Sequence, residues 1–154
     1  LKNGNGWRTL PAPTEEIPLL VRAGGMLTML DADVDTLSPF GSDESIVHLS
    51  DRNARTLFAF PRGKSTGRFE SRGRINSVEK KDSLKITVSG SAVRDWNFNI
   101  ATATMKKPIR PRCVKLNGRK LAGSKWQVRN GAVELSVRPS GRKFTLVVSG
   151  RRCG

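Results

Sequence analysis

Asp31, Asp33 and Asp35 are the residues of this 154-residue chain whose spacing comes nearest to a chemical site. A D-x-D-x-D run opens an EF-hand loop by setting oxygen ligands at loop positions 1, 3 and 5, but that loop also needs glycine at position 6 and glutamate at position 12. Thr36 and Ser42 stand there instead. The run therefore reads as an acidic loop, either solvated or paired with the basic half of the chain, and no metal site is expected. The single histidine, His48, and the two cysteines, Cys113 and Cys153, cannot make up a zinc ligand set, and neither cysteine belongs to a C-x-x-C. His48 sits mid-strand in I-V-H-L-S, so no serine or cysteine has a paired base, and the histidine reads as structural. No catalytic residue, cofactor-binding residue or cofactor is assigned.

Trp96 and Trp126 have the chemistry of a sugar platform, an indole face beside amides such as Asn97 and Asn99. In R-D-W-N-F-N-I, however, Trp96, Phe98 and Ile100 share one face of a strand and Asp95, Asn97 and Asn99 the other. Trp126 alternates with Val128 in the same way, so both indoles are expected in the core. Asp95 and Glu70, each near arginines, are expected to form surface salt bridges.

Cys113 begins one apolar strand and Cys153 follows the last. A disulfide tying down the C-terminus fits that placement if the protein is exported, and two free thiols are the alternative. The compartment stays open between extracellular and cytoplasmic, with secretion favoured. The chain opens on Leu1 with neither a charged leader nor an apolar h-region, and reads as excised from something longer. Arg22 and Asp31 interrupt the best apolar run well short of the roughly 18 residues a membrane helix needs, so no membrane span is expected.

Charge is divided sharply. Residues 1–51 carry eight acids and three bases, net −5, whereas the remaining 103 carry 25 bases and five acids, net +20. So basic a surface raises polyanions as partners, nucleic acid among them. The basic residues are scattered singly along strands and turns, neither clustered on a helix nor interleaved with stacking aromatics, which argues against nucleic acid.

The elements that would position these residues are strands. Residues 83–90, 114–121, 132–137 and 143–149 each alternate apolar with polar side chains, giving one buried and one wet face. Asn117-Gly118 and Asn130-Gly131 are two-residue hairpin turns, and Pro139-Ser140-Gly141 is another turn. The expected class is all-β, an antiparallel β-sandwich, with at most a turn or two of helix in M-L-T-M-L-D-A-D-V-D-T-L. Residues 46–50 and 55–60 look like a hairpin ending at Pro61, and a boundary falls near residues 63–66. The expected division is a small proximal β subdomain, residues 1–63, followed by a distal sandwich, residues 64–154. The first part is too small to be secure alone and should lean on something else.

Residues 15–30, E-E-I-P-L-L-V-R-A-G-G-M-L-T-M-L, preceded by Gly6-Trp7 and followed by L-F-A-F-P-R-G, resemble the segment just after the catalytic barrel in glycoside hydrolase family 31, the α-glucosidase and α-xylosidase family. The matching positions are Trp7, Ile17, Pro18, residues 19–24 and residues 58–63. The later V-K-L-N-G-R-K-L, W-Q-V-R-N-G-A-V-E-L-S-V and F-T-L-V-V-S-G look like the distal C-terminal β-sandwich of that family. Residues 67–75, G-R-F-E-S-R-G-R-I, keep Phe69 and Glu70 but lack the paired aspartates common there, and residues 30–41 lie outside the common pattern. The resemblance implies an upstream barrel in the same chain that holds both catalytic aspartates. It also implies that Ile17, Pro18, Leu19, Leu20, Val21 and Arg22 pack between that barrel and the local sheet. The pattern agrees, since Ile17 to Val21 are apolar on both faces of a strand, although a strand central in its own sandwich would look the same. The expected function is a non-catalytic accessory region that packs on the barrel of a retaining enzyme for α-glycosidic bonds. The alternatives are a carbohydrate-binding module or a polyanion-binding β-domain.

Overall fold

The computed structural model describes residues 20–30, 53–90 and 92–154, with Thr9 and Pro13 as isolated positions. Trp7, Ile17, Pro18, Leu19, His48, the aspartates at 31, 33 and 35, and the expected strand at 46–50 lie outside the described residues. Eleven strands occur among those described: β1 (Met26–Met29), β2 (Ala54–Ala59), β3 (Lys64–Phe69), β4 (Gly73–Lys80), β5 (Ser83–Ser89), β6 (Asp95–Ala101), β7 (Cys113–Leu116), β8 (Arg119–Lys120), β9 (Trp126–Arg129), β10 (Ala132–Val137) and β11 (Lys143–Ser149). Two single-turn 3-10 helices, Thr102–Thr104 and Gly123–Lys125, complete the set, and no helix among the described residues is long and apolar enough to cross a membrane.

The strands make two sheets, β1-β2-β6-β10-β9 and β3-β4-β5-β11-β7-β8, and the fold is an all-β sandwich. The alternation read from the sequence sets the inward face. Leu57, Trp96, Phe98, Ile100, Val133 and Leu135 come from the first sheet, and Ile75, Leu84, Ile86, Val88, Leu146 and Val148 from the second. Burying one such side chain stabilises the fold by about 1.5–3 kcal/mol. Phe69, Trp96, Phe98 and Phe144 form an aromatic group within the core, with Trp96 edge-on to Phe69 at 5.1 Å and Phe98 edge-on to Phe144 at 6.2 Å. Asn117 and Gly118, then Asn130 and Gly131, all take positive φ, as the two tight hairpins β7-β8 and β9-β10 require.

Four features depart from the pattern expected of the sequence. The pair β2-β6 is parallel, because the chain leaves the first sheet after β2, builds β3, β4 and β5 in the second, and returns. Met26–Met29 forms a strand rather than a helical turn, pairing antiparallel with β2 in the register Met26 to Ala59. Leu20, Val21 and Arg22 lie outside any strand, and a turn at Ala23-Gly24 then brings the Gly24 N–H onto the Phe60 carbonyl. Arg55 occupies an inward position of β2 and is buried.

The expected boundary at 63/64 coincides with the turn between β2 and β3, where the chain changes sheet, and the described strands on both sides of it contribute to one core. Cys113 at the start of β7 and Cys153 after β11 are joined as a disulfide, with Cα atoms 5.3 Å apart.

Candidate functional site

All five carboxylates beyond residue 51 are described, and each is already engaged. Glu70, in the turn between β3 and β4, lies between two guanidinium groups: Arg55 donates from Nε to its Oε1 at 3.1 Å, and Arg94 from Nη2 to its Oε2 at 2.8 Å. Glu70 adopts φ 53°, a conformation that disfavours side chains. Its ion pair is sunk deeper than the expected surface bridge, because β2 turns Arg55 toward the core and leaves that side chain 3% exposed. Asp95 forms the expected exposed pair, with Arg138 at 3.6 Å. Asp82 accepts from Arg151.

Glu79, near the end of β4, accepts three backbone N–H donors, from Gly63 at 2.7 Å, Lys106 at 3.1 Å and Lys107 at 2.8 Å. Partial burial pushes its carboxyl up, but the three donors and the Lys106 charge outweigh that, and its pKa lies below the ordinary glutamate value. The carboxylate thus clamps the turn before β3 to the connection after β6. A retaining glycosidase needs two facing carboxyl groups about 5 Å apart, one of them protonated. The five described carboxylates bond to arginines, backbone amides and carboxamides. No group of three His, Cys, Asp or Glu side chains suited to a metal ion occurs among the described residues.

A concavity of about 720 Å³ lies on the outward face of the five-stranded sheet. The same alternation that buries Trp96 and Phe98 turns Asn97 and Asn99 into it, beside Phe58, Gln127, Glu134 and Ser136. These polar groups are cross-linked strand to strand. Ser136 Oγ donates to Asn97 Oδ1 at 2.6 Å, and Gln127 Nε2 and Asn99 Nδ2 reach the two oxygens of Glu134 at 2.9 and 3.5 Å. Such a face, with amides, a hydroxyl and one carboxylate around a half-buried phenyl ring, suits hydrogen bonding to hydroxyls or to another polar surface.

Trp96 is 3% exposed, as a core residue should be. Trp126 packs on the core from the edge strand β9 and stays half-buried, so one side of it reaches the groove. Of the six residues expected at the barrel interface, Leu20 is 71% exposed, Val21 half-buried and Arg22 exposed, while Ile17, Pro18 and Leu19 are not described. The Glu79 clamp and the buried Arg55 escaped the sequence reading. Arg55 was detectable, since it stands at an inward position of the alternating A-R-T-L-F-A, whereas the Glu79 clamp joins segments with no local signature.

No protein-family model and no curated protein matches the chain. Among solved structures, the fold is shared with a cycloalternan-forming enzyme from Listeria monocytogenes in complex with a pentasaccharide substrate, at TM-score 0.60 and 15% identity, over 84% of this chain and 13% of that one. It is also shared with a GH31 dextranase from Flavobacterium johnsoniae complexed with glucose, at TM-score 0.52 and 12% identity, over 84% of this chain and 19% of that one. The chain therefore spans less than a fifth of the length of these proteins.

Proposed function

We propose that this chain is the non-catalytic β region that follows the catalytic barrel of a GH31-like glycoside hydrolase, and that it packs on the barrel and stabilises it. The observation that carries this reading is the lopsided coverage: most of this chain corresponds to a small part of much larger carbohydrate-active proteins. The I-P-L-L-V-R-A-G run supports it, because its described end presents Leu20 to solvent just before β1, as a surface cut away from a neighbouring domain would. In this reading residues 1–63 are the part that leans on the barrel and 64–154 the distal part. Ile17 to Arg22 form the contact, and the parent cleaves α-glycosidic bonds with retention.

Two measurements test it. The chain alone should show no turnover of aryl α-glycosides, and genuine turnover would falsify the reading. Leu20→Glu should leave the unfolding of this chain unchanged but lower the melting temperature of the parent that carries the barrel. An equal effect in both proteins would remove Leu20 from the interface.

A further inference from the structure

Three connections and the segment after β11, all separated in sequence, meet at one end of the sandwich, and each brings cations. Lys64 opens β3; Lys80 and Lys81 lead into the β4-β5 turn; Lys106 and Lys107 stand in the connection from β6 to β7. These five lysines line a concavity of about 580 Å³. Lys81 also lines an adjoining concavity of about 530 Å³, whose other cations are Arg110, Arg112 and Arg151. The two share Lys81 in their linings and together, as one basic trough, carry eight exposed cationic side chains.

Only two carboxylates line that trough, and both are occupied. Glu79 is spent on the N–H groups of Gly63, Lys106 and Lys107, and Asp82 on Arg151. Glu79 keeps its charge beside Lys106 and Asp82 pairs with Arg151, so among the described residues lining the trough eight cations face only two anions. Concentrating like charges on packed turns opposes folding, so a solvated face needs no such convergence. The trough is also held in shape. The Glu79 carboxylate fastens the loop bearing Lys106 and Lys107 to the strand end bearing Lys80, and the Cys113–Cys153 disulfide fixes the segment carrying Arg151 beside β7.

We propose that this trough binds an acidic polysaccharide, a linear polymer whose carboxylate or sulfate groups are spaced along the chain. The inference rests on charge, shape and cross-linking, independently of the glycosidase reading. Lysine ammonium groups act as point charges that accept anions in many orientations, which suits a repetitive polymer better than one planar, bidentate ligand. Nucleic acid fits less well. No aromatic ring lines the trough to stack a base, and no helix of more than one turn occurs among the described residues to enter a major groove. The disulfide fits an oxidising compartment, where a secreted or surface polysaccharide would be met.

The test titrates the full chain with polygalacturonate at about 50 mM salt, with neutral dextran and duplex DNA of equal charge concentration as comparators. Polygalacturonate should bind, and its affinity should fall steeply as salt rises to about 200 mM. The variant K80S/K81S/K106S/K107S should lose affinity by about tenfold or more, while R72S/R142S, at the opposite end, should change it less than about twofold. Thermal unfolding of each variant, read alongside, should show no loss of stability, because the substituted side chains are exposed and removing lysines only relieves like-charge repulsion. Absence of binding at low salt, equal binding by the lysine variant, equal retention on dextran, or tighter binding of duplex DNA would each overturn the proposal.

Discussion

Arg55 on β2 and Glu70 in the β3-β4 turn, fifteen residues apart, meet at one end of the sandwich with Nη2 2.9 Å from Oε1. The arginine is nearly solvent-free, its Nη1 donates to the Ala54 carbonyl at 2.7 Å, and the glutamate holds a positive φ, which glycine would adopt with less strain.

Removing the carboxylate leaves a buried guanidinium short of its counter-charge. Glu70→Ala is expected to destabilise the fold by roughly 2–4 kcal/mol, near the lower part of the range for a stripped buried ion because Arg55 keeps a carbonyl. Glu70→Gly should recover only about 1 kcal/mol of that through the backbone. Urea denaturation of both variants decides it, and a Glu70→Gly variant as stable as the parent would show that the ion pair contributes nothing.

Trp96 touches Phe69, Phe98 and Phe144 and joins the two sheets in the core. Trp96→Ala is expected to cost about 3–5 kcal/mol, the usual range for a large aromatic removed from a packed core. A loss below about 1 kcal/mol in chemical denaturation would place the indole outside the core.

Glu79 has its folded pKa below the unfolded one, so over that interval the unfolded chain binds more protons and stability rises with pH. Its contribution is fully present above the ordinary glutamate value of 4.5 and is lost as pH falls through the lower folded value. Urea midpoints should therefore drop between pH 5 and the acid limit, and Glu79→Gln should flatten that drop while lowering stability at pH 7. An unchanged acid slope in the variant would exclude Glu79 as its source.

The Cys113–Cys153 bond closes a loop with a sequence separation of 40. By the chain-entropy argument its reduction is expected to cost about 4 kcal/mol. Thermal melts with and without a thiol reductant measure this, with Cys113→Ser as the control that no longer responds to reductant.

Ser65 and Ser77 face one another across β3 and β4, and each buries a hydroxyl that has no hydrogen-bond partner. An unsatisfied buried hydroxyl costs roughly 1–3 kcal/mol, so Ser77→Ala should be neutral or stabilising by up to about 1 kcal/mol. A loss of more than about 1 kcal/mol in the same denaturation assay would mean that the hydroxyl is in fact satisfied.

Most of the strand inventory was legible because alternation is a local property: in S-L-K-I-T-V-S or K-F-T-L-V-V-S each side chain declares its face, and Asn117-Gly118 declares its turn. Met26–Met29 was not legible as a strand, since four residues acquire that state only by pairing with β2. The candidate site divides along the same line. The outward placement of Asn97 and Asn99 follows from the same alternation that buries Trp96, but their partners Ser136 and Glu134 come from a strand more than thirty residues away.

The sequence by itself determined the all-β class, the inward and outward faces, the hairpins and the excess of positive charge, because composition and a period of two need no knowledge of neighbours. Tertiary structure alone decided the parallel β2-β6 pairing, the choice of Glu70 as the partner of Arg55, the Glu79 clamp, and the gathering of lysines from separate turns at one end of the sandwich. Each of these depends on which strands lie side by side, and strand pairing is a choice among distant segments that no local pattern encodes.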